Sequence, residues 1–310
     1  TSNIPKCGDL YISTKTKIVY LNKSIDLSDI FWKLDIIDYQ TLANGIIKKQ
    51  IKINSKCQEE VDNIEYYLSK YKYTNSYIIN YINNPDGRVK FKDVRKVSIG
   101  LCKKDLINYR TKQKGAFYNC FVIILRIKIN KKYNEYHVKV FNTGKLEIPG
   151  IKTDDELNII LDNVLSNLRN HLLDIKTTDN TETVLINSNF ECGFYLDRNK
   201  LFNNLKTKYN IQSVFDPCSY PGIQCRLFFD KSNKLYKEYN LSYGKVSFMI
   251  FRTGSVLIVG KCNMDILFKI YQHIKDILHS EFKEIYEMDN VKVEKNMTKK
   301  KIKKKIQITQ

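Results

Sequence analysis

Val140-Phe141-Asn142-Thr143-Gly144-Lys145-Leu146-Glu147-Ile148-Pro149-Gly150 returns as Ile250-Phe251-Arg252-Thr253-Gly254-Ser255-Val256-Leu257-Ile258-Val259-Gly260. Phe141 to Phe251, Gly144 to Gly254 and Gly150 to Gly260 are each 110 residues apart. A Phe, a Thr-Gly turn, a short strand and a closing Gly spell a β-hairpin. Each copy then runs into an amphipathic helix. Thr153 and Glu156 form a capping box ahead of Leu157, Ile160, Leu161, Val164, Leu165 and Leu168. Asn263 is placed to cap a helix carrying Leu267, Ile270, Tyr271, Ile274, Ile277 and Leu278 at three- and four-residue spacing. Two such units predict a pseudo-two-fold surface, which suits a two-stranded partner.

Working outward, the second copy reads as a strand at 184–190, then Asp197 capping a helix with Leu201, Phe202 and Leu205 on one face. Pro217, Pro221 and Gly222 punctuate a loop before strands at Ile223–Phe229, 244–251 and 255–259. The first copy keeps this order: a strand at 10–20, Asp26 ahead of Ile30, Phe31 and Leu34, and strands at Cys120–Ile129, 136–141 and 145–148. Asp26 to Arg126 spans 100 residues, whereas Asp197 to Arg226 spans 29. The first copy therefore carries an insertion of about 71 residues, placed at about 45–115 and expected to pack as an appendage. Within it a helix is expected at 58–70, and Asn84-Pro85-Asp86-Gly87 marks a turn. The predicted organisation is repeat 1 over 9–174, repeat 2 over 182–285, and a basic tail over 286–310, disordered in isolation.

The chain holds 52 Lys and Arg against 33 Asp and Glu, a net charge of +19 that points to an anionic partner. Seven of those charges lie in the tail from Lys292 to Gln310, leaving twelve on the rest. The tail run Lys299-Lys300-Lys301-Ile302-Lys303-Lys304-Lys305 would add phosphate affinity, act as a nuclear-import signal, or merely solubilise. No apolar run is long enough to span a membrane, and Lys15, Lys17 and Lys23 interrupt any leader-like stretch, so no membrane partner is expected. Eight cysteines without a CxxC pair, and four His at no ligand spacing from them, read as reduced thiols in an intracellular protein without a zinc site. No Gly-rich phosphate loop, His-Glu-x-x-His, Gly-x-Ser-x-Gly or paired-carboxylate constellation is present, so neither an enzyme nor a cofactor is expected.

Taken together, these residues resemble the TATA-box-binding protein family, specifically the divergent relatives carried by large eukaryotic DNA viruses. The segments 250–261 and 140–152 are similar to the family's Ile-Phe-x-Ser-Gly-Lys-x-Val-x-Thr-Gly-Ala-Lys. Phe215-Asp216-Pro217-Cys218-Ser219-Tyr220-Pro221-Gly222-Ile223, followed by Arg226, resembles its Tyr-Glu-Pro-x-x-Phe-Pro-Gly-Leu strand entry. The resemblance covers about 240 residues once insertion and tail are set aside. It implies an α+β saddle: two pseudo-symmetric repeats forming a curved antiparallel sheet, with helices on the convex face and DNA on the concave one. It also implies a transcription-initiation factor that binds and bends AT-rich duplex DNA through the minor groove, and that meets other initiation proteins or RNA polymerase. The compartment would be the host nucleus, a viral factory or the virion.

The resemblance implies wedges at Phe251 and Tyr220 in repeat 2 and at Phe141 in repeat 1, pressed between base steps. Arg226 and Arg126 would contact phosphate, as would Thr143, Lys145 and Lys152, and Asn187 or Asn189 would supply a central groove amide. Strand alternation places Met249, Leu257 and Val259 on the face of Phe251, with Arg252, Thr253 and Lys261 in reach of backbone phosphate. Counting back from Arg126, the fourth wedge falls on Cys120, with Tyr118 on the same parity as its aromatic substitute. Glu147 and Lys139 occupy positions that should be apolar, a carboxylate there needing Lys139 as partner. Pro149 replaces a Thr, and Ser13, Thr14 and Thr16 stand where an Asn is expected. These departures keep two other readings open: a scaffold that has lost DNA bending, and a single-stranded nucleic-acid binder.

Overall fold

The computed structural model describes residues 5–107, 117–238 and 244–288. They fall into two compact units, one made of Thr16–Glu182 and the other of Thr1–Lys15 with Thr183–Gln310. Most of the basic tail, from residue 289, lies outside the described residues.

The unit containing repeat 1 carries β1 (Tyr11–Leu21), α1 (Leu27–Lys33), β2 (Gly45–Ser55), α2 (Gln58–Ser69), β3 (Thr74–Asn83), β4 (Phe91–Gly100) and α3 (Lys103–Ile107). It continues with β5 (Cys120–Ile129), β6 (Lys132–Phe141), β7 (Lys145–Ile151), α4 (Asp154–Arg169) and the start of β8 (Thr177–Glu191). Its strands lie in the order β1-β7-β6-β5-β2-β4-β3. Alternation along β5 sends Phe121, Ile123, Leu125 and Ile127 into one core with Ile30 and Phe31 of α1 and Ile160, Val164 and Leu168 of α4.

The insertion is not an appendage. β2 pairs with β5, β4 with β2 and β3 with β4, all antiparallel, so three inserted strands extend this sheet. Helix α2 adds Ile64 and Leu68 to the same core. The physical reason is that a bare edge of β5 would leave a row of backbone donors and acceptors unpaired, and the β-rich runs of the insertion satisfy them. Lys49 of β2 is fully buried on the helix side, its Nζ donating to the carbonyls of Phe31 (2.7 Å) and Leu34 (2.6 Å) at the end of α1. A cation at that helix terminus meets both the dipole and the orphan carbonyls.

The unit containing repeat 2 holds the rest of β8, β9 (Tyr195–Leu196), α5 (Arg198–Thr207), β10 (Gln212–Val214), β11 (Ile223–Phe229), β12 (Leu235–Tyr236), β13 (Gly244–Ile250), β14 (Ser255–Gly260), α6 (Met264–Ser280), α7 (Phe282–Ile285) and β15 (Tyr286–Glu287). Its sheet runs β10-β11-β13-β14-β8, antiparallel throughout. Phe190, Cys225, Leu227, Val246, Phe248 and Ile258 point to one side, where Leu201 and Leu205 of α5 and Ile266, Leu267, Ile270 and Ile274 of α6 meet them.

The duplication extends to individual hydrogen bonds. Leu21 N–H donates to Gly144 O and Cys192 N–H to Gly254 O, both at 2.8 Å. Ile25 N–H reaches Asn142 O at 2.9 Å, and Leu196 N–H reaches Arg252 O at 3.0 Å. Gly144 and Gly254 sit at φ +81° and +85°, and a Cβ on either would lie 2.4 Å from a carbonyl oxygen, of Lys23 and Phe194 respectively. Asp26 and Asp197 accept from N–H groups in the first turns of α1 and α5; Thr153 and Asn263 do the same for α4 and α6. Glu156 reaches back to Lys152 N–H rather than to that of Thr153.

Candidate nucleic-acid interface

In the repeat-2 unit the described residues leave the sheet face away from the helices uncovered, and strand register arranges it as a grid. Gln224, Met249, Leu257 and Asn189 form one row across β11, β13, β14 and β8; Arg226, Ser247, Val259 and Asn187 form the next. Gln224 and Arg226 are exposed and the other six half-buried. Phe251, just past β13 on the parity of Met249, is half-buried and outside the apolar core that takes in Phe248 and Ile250. Its ring faces that of Tyr220 at 5.9 Å between centroids and 59° between planes. Asn187 is oriented from the N-terminal strand: its Nδ2 donates to Thr14 Oγ1 at 3.2 Å, and its carbonyl accepts from Ser13 Oγ at 3.0 Å. Thr253 and Lys261 are exposed at the ends of the hairpin. Arg252, expected to face phosphate, instead has its Nε 2.8 Å from the Glu287 carboxylate.

The repeat-1 counterparts are arranged differently. Phe141 lies on the parity of Lys139, outside the core that Val138 and Val140 join, yet is only 9% exposed, with Lys145 Nζ 4.0 Å from its ring centre. Cys120 lies opposite it in register and is buried, which raises its thiol pKa above the ordinary range. Tyr118 is exposed, with Lys52 Nζ 3.6 Å from its ring centre. Lys139 and Glu147 face each other across β6 and β7 and pair at 2.6 Å, so the carboxylate finds its cation. Thr143 and Lys152 are exposed and Lys145 is half-buried.

Arg126 corrects the expectation of a phosphate contact. It is 5% exposed, and its guanidinium donates to the carbonyls of Tyr39 (2.6 Å), Thr41, Asp38 and Ala43. The loop before β2 presents a cluster of carbonyls that needs a multiple donor, and the planar five-donor fork of Arg supplies it. Beside it Ile47, Cys102 and Ile124 form a small second core with Ile37 and Tyr39. Lys48 pairs with Asp105 of α3 at 2.8 Å, and Lys103 N–H donates to Glu135 at 3.0 Å. His137, on the same parity as Lys139, has its pKa lowered by burial and then by Lys104 and Lys48, which disfavours the charged ring.

Two grid members, Gln224 and Ser247, were not among the sequence-predicted contacts. Alternation from Arg226 and Met249 would have found both, since each sits two residues before a chosen position.

The fold and face thus define an α+β protein of two repeats, antiparallel sheets packed on one side by helices, with an apolar-and-amide sheet face in repeat 2 that the described residues leave uncovered. No family model matches the chain. It is 26% identical over 200 residues to the TATA-box-binding protein-like protein of Acanthamoeba polyphaga mimivirus, an alignment covering 59% of this chain and 54% of that relative. The chain therefore spans about half the length of the curated relative it matches. Among solved structures, Methanococcus jannaschii TBP aligns at a TM-score of 0.45 and 11% identity, covering 88% of this chain and 98% of that one. The sequence is similar to a divergent viral protein of the same family that its two repeated motifs resemble.

Proposed function

We propose that this chain is a non-enzymatic DNA-binding factor of the TATA-box-binding type, which enters the minor groove of AT-rich duplex DNA and bends it during transcription initiation. The observation that carries the reading is the repeat-2 grid: Met249, Leu257 and Val259 make an apolar floor, Asn187 and Asn189 stand along it, Phe251 and Tyr220 close one end, and Arg226 is exposed beside it. The minor groove offers few distinguishing donors, so a flat apolar surface with sparse amides and two rings matches what it presents. The net charge of +19 supplies the long-range attraction. The outer side of α6 exposes Met264 and Phe268, a surface suited to other initiation proteins or to a polymerase.

The test is a bend assay on a short AT-rich duplex, with affinity measured against salt. The wild-type chain should bend the duplex, with log affinity falling linearly in log salt concentration. The double variant Phe251→Ala, Tyr220→Ala should abolish bending while keeping part of the salt-dependent attraction. Undiminished bending by that variant would overturn the wedge assignment.

A further inference from the structure

We infer that the insertion closes the repeat-1 sheet face against DNA, so that only repeat 2 inserts side chains into the groove; this rests on the DNA-binding reading above. Equivalent positions in the two repeats carry the inference. Ile124 lies opposite His137 as Arg226 lies opposite Ser247, so where repeat 2 exposes Arg226, repeat 1 buries Ile124 against Ile47 and Cys102. Arg126, two residues further along β5 and opposite Glu135, is 5% exposed and held by four carbonyls of the loop at 38–43. Where Ser247, Met249 and Leu257 line an open floor, repeat 1 has the desolvated His137 and the Lys139–Glu147 pair. Where bare Gly222 lies beside the half-buried Phe251, the buried Cys120 lies opposite a Phe141 that is almost covered.

The closure comes from residues that repeat 2 lacks. Ile47 belongs to β2, Cys102 follows β4, and Asp105 of α3 pairs with Lys48. These groups turn part of a sheet face into an interior. Opening it would expose Ile47 and Ile124 and break the buried Arg126 contacts together, so DNA binding would have to offset both losses. A carboxylate and a cation already neutralised by each other offer the groove neither an apolar floor nor a net charge.

The experiment places a photoreactive benzoylphenylalanine at Met249 or at Lys139 in the full chain and irradiates it with a labelled AT-rich duplex. Alanine variants Phe251→Ala and Phe141→Ala are titrated in parallel. The expected result is cross-linking from position 249 alone, with affinity lowered about tenfold by Phe251→Ala, about 1.4 kcal/mol, and by less than about twofold by Phe141→Ala. Cross-linking from both positions overturns the closure and leaves the DNA reading standing. Binding without a cross-link from position 249 also overturns it, the cross-link being independent of whether Phe141→Ala folds. No binding to any duplex by the unsubstituted chain removes the DNA reading itself, a separate outcome.

Discussion

The rings of Tyr220 and Phe251 rest on the same glycine. A Cβ at Gly222 would come within 3.0 Å of Phe251 Cε1 and 3.2 Å of Tyr220 Cε1. The two side chains are thus seated on bare backbone, which sets how far they stand above the sheet. Gly222→Ala should lift or spread the rings, because half-buried rings can yield where a closed core cannot. Thermal unfolding should change by only a few degrees, about 1 kcal/mol or less. Affinity for an AT-rich duplex should fall about five- to tenfold, approaching the effect of Tyr220→Ala. Unchanged affinity would show that ring placement does not matter to binding.

Arg126 and Arg226 match by sequence count but not by strand register, one lying opposite Glu135 and the other opposite Ser247, and they should behave oppositely. Arg126→Ala strands four carbonyls in a buried loop and should cost about 2–4 kcal/mol of stability. The slope of log affinity against log salt should not move. Arg226→Ala, at an exposed position, should leave the urea midpoint in place and reduce that slope by about one. The pair of measurements separates a structural arginine from a phosphate-binding one.

What could be read from the sequence follows how local each feature is. Hairpin turns, helix caps and the alternation that sorts Met249 from Phe248 depend on neighbours a few residues away, and they were legible. The pairing of β2 with β5 was not, because partner choice for an edge strand joins residues about 75 apart and leaves no periodic trace. Arg126 was misplaced for a related reason. Counting along the repeat matched it to Arg226, yet strand register sets Arg126 two residues beyond that place, where the loop at 38–43 takes up its side chain. The Lys139–Glu147 contact was accessible because the two residues flank one hairpin.

Lys49 makes a prediction about pH. Burial lowers its pKa from the ordinary lysine value to about 8, with Asp35 opposing the shift. Below pH 8 the folded and unfolded chains both hold the proton. Between that pH and the unfolded value near 10.5 the unfolded chain holds more, so this group's contribution to stability rises with pH. Compared with Lys49→Met, the wild-type chain should gain stability across this window, by at most about 3.5 kcal/mol at about 1.4 kcal/mol per pKa unit. A flat difference between the two proteins from pH 7.5 to 10 would show that the two carbonyl acceptors hold the ammonium charged.

Gly144 and Gly254 offer a test of the duplication itself. Both have φ above +80°, and each places the missing Cβ 2.4 Å from a backbone oxygen, so an alanine meets strain and a clash that no side-chain rotation relieves. Left-handed backbone at a non-glycine residue costs roughly 1–3 kcal/mol, and the clash adds to it. Gly144→Ala and Gly254→Ala should each destabilise by about 2–4 kcal/mol in urea unfolding, and each should weaken the hydrogen bond that Leu21 or Cys192 makes to that glycine's carbonyl. Amide exchange should therefore accelerate at Leu21 in the first variant and at Cys192 in the second. A large effect at one glycine and none at the other would mean that the matching turns no longer bear the same constraint, and that the repeat survives in sequence without surviving in mechanics.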